Sequence, residues 1–224
     1  RGMEFHAWLN PYRAVFNINS SSIASDHITR KHPEWFLTYG DKKYFDPGNK
    51  EAQAFVVNVV RDIVKRYAVD AIHMDDYFYP YPGKDARKNP VDFPDAPSWK
   101  KYVESGGKLG RTEWRRENVD RFVQRLYLAV KAEKARVRVG ISPFGIWKPG
   151  HPPGVRGMDA TQTIYADALC VVPPDNRGAS VAIVDLNAHV FRNVECLLSH
   201  VYFLPRLIKS IDALVVREQG EISI

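Results

Sequence analysis

Apolar and polar positions along the chain alternate between two periods. Met3 to Leu9, Val69 to Met74 and Arg136 to Ile141 are short segments that read as strands. Between them, Lys50 to Tyr67 repeats Ala54, Val57, Val60, Ile63 and Val64 at helical spacing. A second helix, from about Glu113 to Lys134, carries Val119, Phe122, Val123, Leu126 and Val130 on its inner face. The first strand stops at Asn10-Pro11, because proline has no N–H for a ladder. Asp46-Pro47-Gly48-Asn49 predicts a turn into the first helix, and Asp159 to Leu169 predicts the start of a third. Residues 14 to 48 read as a long connection with a short helix near Ile23–Lys31. Residues 83 to 112 read as a second long polar connection holding Trp99 and Tyr102.

The order is therefore strand, long loop, helix, three times over. Short strands alternating with amphipathic helices argue for parallel strands covered by helices. Long loops after strands and short loops after helices fit a barrel whose functional loops gather at the C-terminal strand ends. The expected fold is α/β, a (β/α)8 TIM-type barrel. Three strands cannot close eight, so the barrel is expected to be incomplete, with N-terminal and C-terminal strands missing. A doubly wound nucleotide-binding sheet is disfavoured, since no G-x-G-x-x-G follows any strand.

Composition changes this picture little. A chain of 224 residues, 45% hydrophobic, can bury a substantial core. The net charge of +6 is spread among acidic residues; even the densest cluster, Arg111 to Arg116, is broken by Glu113 and followed by Glu117. That pattern predicts a solvated loop and first helical turn, not a nucleic-acid stripe. Cys170 and Cys196 offer neither C-x-x-C spacing nor a disulfide framework. No apolar run is long enough for a transmembrane segment. The chain opens at Arg1 without an initiator methionine, so a missing signal peptide carries no information about compartment.

The strongest chemical constellation is His73-Met74-Asp75-Asp76-Tyr77-Phe78 at the end of the second strand. Successive strand residues face opposite ways, so two consecutive carboxylates there are poor core candidates. Unpaired buried charge costs several kcal/mol; one carboxylate alone could cap the loop or pair with an arginine, but both together call for a role. Glycosidic bonds are cleaved by such pairs, one carboxyl protonating the leaving oxygen and the other acting as nucleophile or base. With a 2-acetamido sugar the second carboxylate only orients and stabilises the acetamido group. Adjacent aspartates suit that division, one kept protonated and the other ionised. Aromatic and polar residues recur at all three strand ends: Trp8, Asn10, Tyr12 and Arg13, then Tyr77, Tyr79 and Tyr81, then Phe144 and Trp147. Their recurrence suits stacking on sugar rings. His6 and His73 read as hydrogen-bonded strand residues, and His27 and His32 are spaced poorly for one helical face; no metal and no cofactor is expected.

Six blocks in order carry a more specific signal. His6-Ala7-Trp8-Leu9-Asn10-Pro11-Tyr12-Arg13, Asp46-Pro47-Gly48, Asp75-Asp76-Tyr77-Phe78-Tyr79-Pro80, Trp114-Arg115-Arg116-Glu117-Asn118-Val119, Gly140-Ile141-Ser142-Pro143-Phe144-Gly145-Ile146-Trp147 and Asp159 to Asp167 together resemble the glycosyl-hydrolase-like 10 family. The resemblance covers about 169 residues. It implies a TIM-type barrel and hydrolysis of glycosidic bonds. One branch of bacterial lipoproteins cleaves peptidoglycan glycan strands that have lost their stem peptides, which implies a polysaccharide partner and a place in the bacterial cell envelope. By carry-over, Asp75 and Asp76 would be the catalytic carboxylates. Asn10, Arg13, Tyr77 and Trp147 would line the sugar cleft, and Trp8, Tyr12, Tyr79 and Phe144 are added as substrate-binding candidates from their strand-end positions.

Two departures accompany the resemblance. Family members have one or two strands before the position of Arg1. After Leu169 the chain reads Cys170-Val171-Val172-Pro173-Pro174, which would break a helix midway. Residues 1–169 are therefore expected to be a partial barrel, and residues 170–224 a tail foreign to the family or read in a shifted frame. Two rival readings remain. A metal-dependent polysaccharide deacetylase would place glycine after the Asp-Asp pair and an H-x-x-x-H downstream; here Tyr77 follows and no such pair occurs. A non-catalytic carbohydrate-binding barrel would keep the aromatics and lose the acids. A truncated barrel predicts that the isolated chain gives no turnover; release of reducing ends from peptide-free glycan would contradict this.

Overall fold

The computed structural model describes residues 2–76, 78–146, 148–150 and 153–167, together with the backbone at 179–182 and 193–195. In chain order the elements are β1 (His6–Leu9), β2 (Arg13–Val15), α1 (Ile28–Lys31), β3 (Phe36–Tyr39), β4 (Lys42–Phe45), α2 (Lys50–Arg66) and β5 (Ala71–Met74). There follow β6 (Gly83–Lys84), β7 (Pro90–Val91), α3 (Ala96–Glu104), α4 (Arg111–Glu133), β8 (Arg138–Ile141), α5 (Ala160–Thr163), β9 (Ala179–Ala182) and β10 (Asn193–Glu195). Among the described residues no helix is long and apolar enough to cross a membrane.

The main sheet has the order β1-β5-β8-β9-β10; the first four strands are parallel and β10 is antiparallel to β9. The three strands read from the sequence are thus neighbours, in chain order, joined through α2 and α4. Ala7 and Leu9 of β1 pack on the core with Ile72, Met74, Val139 and Ile141. The opposite face carries His6, Trp8, His73 and Arg138, as strand alternation requires. One face is therefore apolar under the helices and the other polar.

The two long helices form on the predicted segments. Asn49 caps α2, its Oδ1 accepting from Glu51 N at 2.9 Å and Ala52 N at 3.1 Å. The buried face of α2 is Ala52, Gln53, Val56, Val57, Val60 and Val64. Ala54, expected inside, is exposed, because α4 packs against the neighbouring stripe and leaves Ala54 at its outer rim. Helix α4 begins two residues early, where the Glu113 carboxylate turns back to Gly110 N at 3.0 Å. Its expected inner face, Val119, Phe122, Val123, Leu126 and Val130, is buried throughout.

The two long connections are more structured than the sequence predicts. Residues 14–48 contain an antiparallel sheet of order β2-β4-β3, and the short helix expected at 23–31 is confined to Ile28–Lys31. The β3–β4 hairpin turns on Gly40-Asp41, with Gly40 at φ +61, and stacks Phe36 against Phe45 at 4.4 Å between ring centres. Residues 83–112 hold the β6–β7 hairpin and α3. Tyr39 Oη fastens the two connections together, donating to Val91 O and accepting from Gly83 N, each at 2.6 Å. A Cβ on Gly83 would stand 3.2 Å from that oxygen.

The arginine cluster is not a solvated turn. Arg115 is 3% exposed and forms a two-pronged pair with Asp95, which is fully buried, at 2.7 Å through both Nε and Nη2. Arg111 reaches the same carboxylate at 2.6 Å, and Arg115 Nη1 meets Asp92 at 2.8 Å and Tyr165 Oη at 2.6 Å. The Tyr165 ring lies under the guanidinium at 4.8 Å.

The third helix is shorter than expected. The backbone of Tyr165 is left-handed, at φ 57, so α5 ends at Thr163 and no helix runs on through Asp167. Leu169, where the predicted segment ends, lies outside the described residues. The foreign tail expected from residue 170 falls outside them too, apart from the backbone of β9 and β10.

Breaking a buried ion pair strands the remaining charge, at a cost of about 3–5 kcal/mol. Arg115→Met should therefore lower stability by about 3 kcal/mol, the low end, since Arg111 still neutralises part of Asp95. The urea unfolding midpoint measures this, and a loss below about 1 kcal/mol would show that the pair is dispensable.

Candidate active site

The parallel register brings three strand ends level. Leu9 pairs with Met74 and Met74 with Ile141, so Asn10, Asp75 and Ser142 are the next residues on adjacent strands. Ser142 N extends the ladder to Met74 O at 2.9 Å. Below them, on the polar face, His73 Nε2 meets Ser142 Oγ at 2.9 Å. Burial pushes the His73 pKa down, against the pull of Asp75, which favours the neutral ring. The strand histidine is thus hydrogen-bonded, as its position predicted.

Asp75 is half-buried and Asp76 is 7% exposed. Asp75 Oδ1 accepts from Asp76 N at 2.9 Å, and Asp76 Oδ2 accepts a hydrogen bond from Tyr81 Oη. Burial raises the Asp76 carboxyl to about 6; the Tyr81 hydroxyl opposes the shift and the Asp75 charge adds to it. The pair therefore contains one carboxyl that holds a proton far into the range where an ordinary aspartate has lost it.

Tyr81 also lines a cleft of about 400 Å³ beside the strand ends. Asn10 enters it from the end of β1, Arg13, Tyr39 to Lys42 and Tyr44 from the antiparallel sheet, and Phe78, Pro80, Gly83 and Lys84 from the segment after β5. Phe144 stands edge-on to the Tyr81 ring at 6.3 Å. Asn10 Oδ1 accepts from Arg13 N at 3.0 Å, which fixes the bend between β1 and β2.

Of the residues singled out from sequence, Asn10 and Arg13 line this cleft. Phe144 borders it through Tyr81, and Trp8, 51% exposed, projects from the polar face of the sheet. Tyr12 and Tyr79 require correction: they are 1% and 0% exposed, and belong to the core. Tyr12 packs on Phe122 at 5.0 Å, and Tyr79 on Phe93 at 5.3 Å and Tyr165 at 5.0 Å. The chain directs these rings beneath the helices, where no sugar reaches them. Tyr77 and Trp147 lie outside the described residues. Asp46 and Asp159 are structural: Asp46 accepts from Gly48 N at 2.8 Å and from Ser98 Oγ, and Asp159 caps α5 through Thr161 N at 2.9 Å. Sequence reasoning missed Lys42 and Lys84, whose lysine side chains carry no pattern of their own. It underused Tyr81, the third member of the Tyr77-x-Tyr79-x-Tyr81 alternation.

Fold and strand-end chemistry define a parallel α/β protein with an acidic pair where the loops after its strands emerge. The chain belongs to the glycosyl hydrolase-like 10 family, whose model matches residues 1–173. It is 43% identical over 176 residues to glycosyl hydrolase YngK of Bacillus subtilis, covering 75% of this chain and 33% of that protein. It is 34% identical over 181 residues to glycosyl hydrolase DigH of Escherichia coli K12, covering 75% and 39%. The chain thus spans between a third and two-fifths of these relatives. Among solved structures, an α-L-fucosidase from Paenibacillus thiaminolyticus matches at TM-score 0.38 and 15% identity, over 54% of this chain and 19% of that one.

A raised carboxyl pKa means that the folded state binds the proton more tightly than the unfolded chain. The resulting stabilisation is complete below about 3.8 and is lost as pH rises through about 6. Asp76→Asn, which keeps an acceptor for Tyr81, should be more stable than the parent at pH 7.5 by about 2 kcal/mol, with no gain at pH 3.5. Thermal unfolding at the two pH values measures it; an equal shift at both would remove the assigned cause.

Proposed function

We propose that the chain carries the acidic half-site of a TIM-type barrel glycosidase that cleaves peptide-free peptidoglycan glycan strands in the bacterial envelope. The observation that carries this reading is the Asp75–Asp76 pair at the C-terminal end of β5, with Asp76 held near pKa 6. A general acid works best when its pKa lies near the working pH. Asp76 is the proton donor to the glycosidic oxygen. Asp75 is the carboxylate that stabilises positive charge developing at the anomeric carbon, or orients a 2-acetamido group that attacks it. Tyr81 positions Asp76 through its hydroxyl and offers its ring to the sugar, with Asn10 and Arg13 in the same cleft and Phe144 edge-on to that ring. The parallel strands β1, β5 and β8 and their covering helices suit a barrel that the remainder of a full-length relative would close. Family membership supports glycosidic bonds as the target, and the glycan identity rests on the resemblance described from sequence.

The test is a chimera in which residues 1–167 replace the matching segment of the Bacillus subtilis relative, assayed for reducing ends released from peptide-free glycan. Asp76→Asn and Asp75→Asn should each slow cleavage by about 10²–10⁴-fold while binding persists. Cleavage at the parent rate by both variants would assign the chemistry elsewhere.

A further inference from the structure

The cleft beside Asp76 is cationic as well as aromatic. Its lining residues include Arg13, Lys42 and Lys84 against a single carboxylate, Asp41. Arg13 and Lys42 both sit over the exposed Phe16 ring, at 5.1 and 5.2 Å from its centre. Lys42 also pairs with Asp41 at 2.6 Å. Two like charges gathered on one ring repel each other, and an anion placed between the walls relieves that repulsion. Lys84 enters from the opposite wall, on β6, which the Tyr39 hydroxyl holds in place through Gly83 N. Three separate segments therefore deliver positive charge to one cavity, and the same cavity contains the ring of Tyr81, whose hydroxyl holds Asp76.

We propose that this cleft is a subsite for a sugar bearing a free carboxylate, with Lys42 and Lys84 as its specificity-determining residues beside Arg13. The inference rests on the glycosidase reading above and adds the chemical feature that the site selects. Loss of a stem peptide by amide hydrolysis leaves a carboxylate where an uncharged amide stood. A cationic subsite recognises that difference directly, while the aromatic rings Tyr44 and Tyr81 accept the sugar face whatever its charge.

The test measures binding by the full 224-residue chain to two oligosaccharides of equal length. One is a peptide-free muramic-acid-containing glycan; the other is the same glycan with its carboxylates reduced to alcohols. The carboxylate form should bind about tenfold more tightly, and the preference should shrink as salt is raised. In the Lys42→Gln/Lys84→Gln double variant the preference should fall to about twofold or less. Circular dichroism matching that of the parent reports that the variant is folded. Equal affinity of the parent chain for both glycans, or equal loss on both in the variant, would overturn the carboxylate assignment and leave the glycan reading intact. Binding of neither glycan would overturn both.

Discussion

Arg115 and Asp95 form a buried ion pair that holds the long connections against the helices. Asp95 stands between β7 and α3, Arg115 lies in the first turns of α4, and Tyr165 comes from the turn after α5. A charge removed from water tolerates few geometries, because each missing partner costs kcal/mol. The pair therefore fixes where the second long connection lies. That placement in turn seats Tyr79 and Tyr39 on Phe93, at 5.3 and 5.6 Å, and the hydroxyl of Tyr39 then anchors the wall of the cleft.

The site is built on the opposite principle, polar groups left short of full compensation. The sheet buries Ile72 and Met74 under the helices, and the strand then releases two carboxylates within two residues of Met74. Asp76 is buried with one hydroxyl and one neighbouring charge for company, so its proton is held more tightly than in water. The energy that disfavours its ionised form is the property on which the proposed proton donation rests. His73 and Ser142 occupy the polar face below, paired to each other, and burial of the His73 ring lowers its pKa.

Much of the fold was legible in the sequence because it rests on local periodicity. The three strands and the two long helices follow from apolar spacing, and the inner face of α4 matches its expected residues at every position. The antiparallel sheet was less visible: its strands are three or four residues long, within a segment that reads as one long connection. Asp75 and Asp76 stood out because two consecutive charges at a strand end cannot both face a core. The fates of Tyr12 and Tyr79 did not stand out. An aromatic ring after a strand reads alike whether it faces sugar or packs beneath a helix.

Spacing along the chain was enough to set the order of elements, the polar and apolar faces of the strands and the position of the carboxylates, and six ordered motifs carried the resemblance to the family. Each of these depends on residues close together in the chain, where neighbours alone set direction. Folding in three dimensions settled which aromatics entered the core, which arginines turned inward to meet Asp95, and which lysines met across the cleft. Those outcomes depend on partners tens of residues apart: Arg115 on Asp95, Tyr39 on Gly83, Tyr12 on Phe122. Burial and electrostatic compensation act through space, and only the folded chain brings such partners within reach of each other.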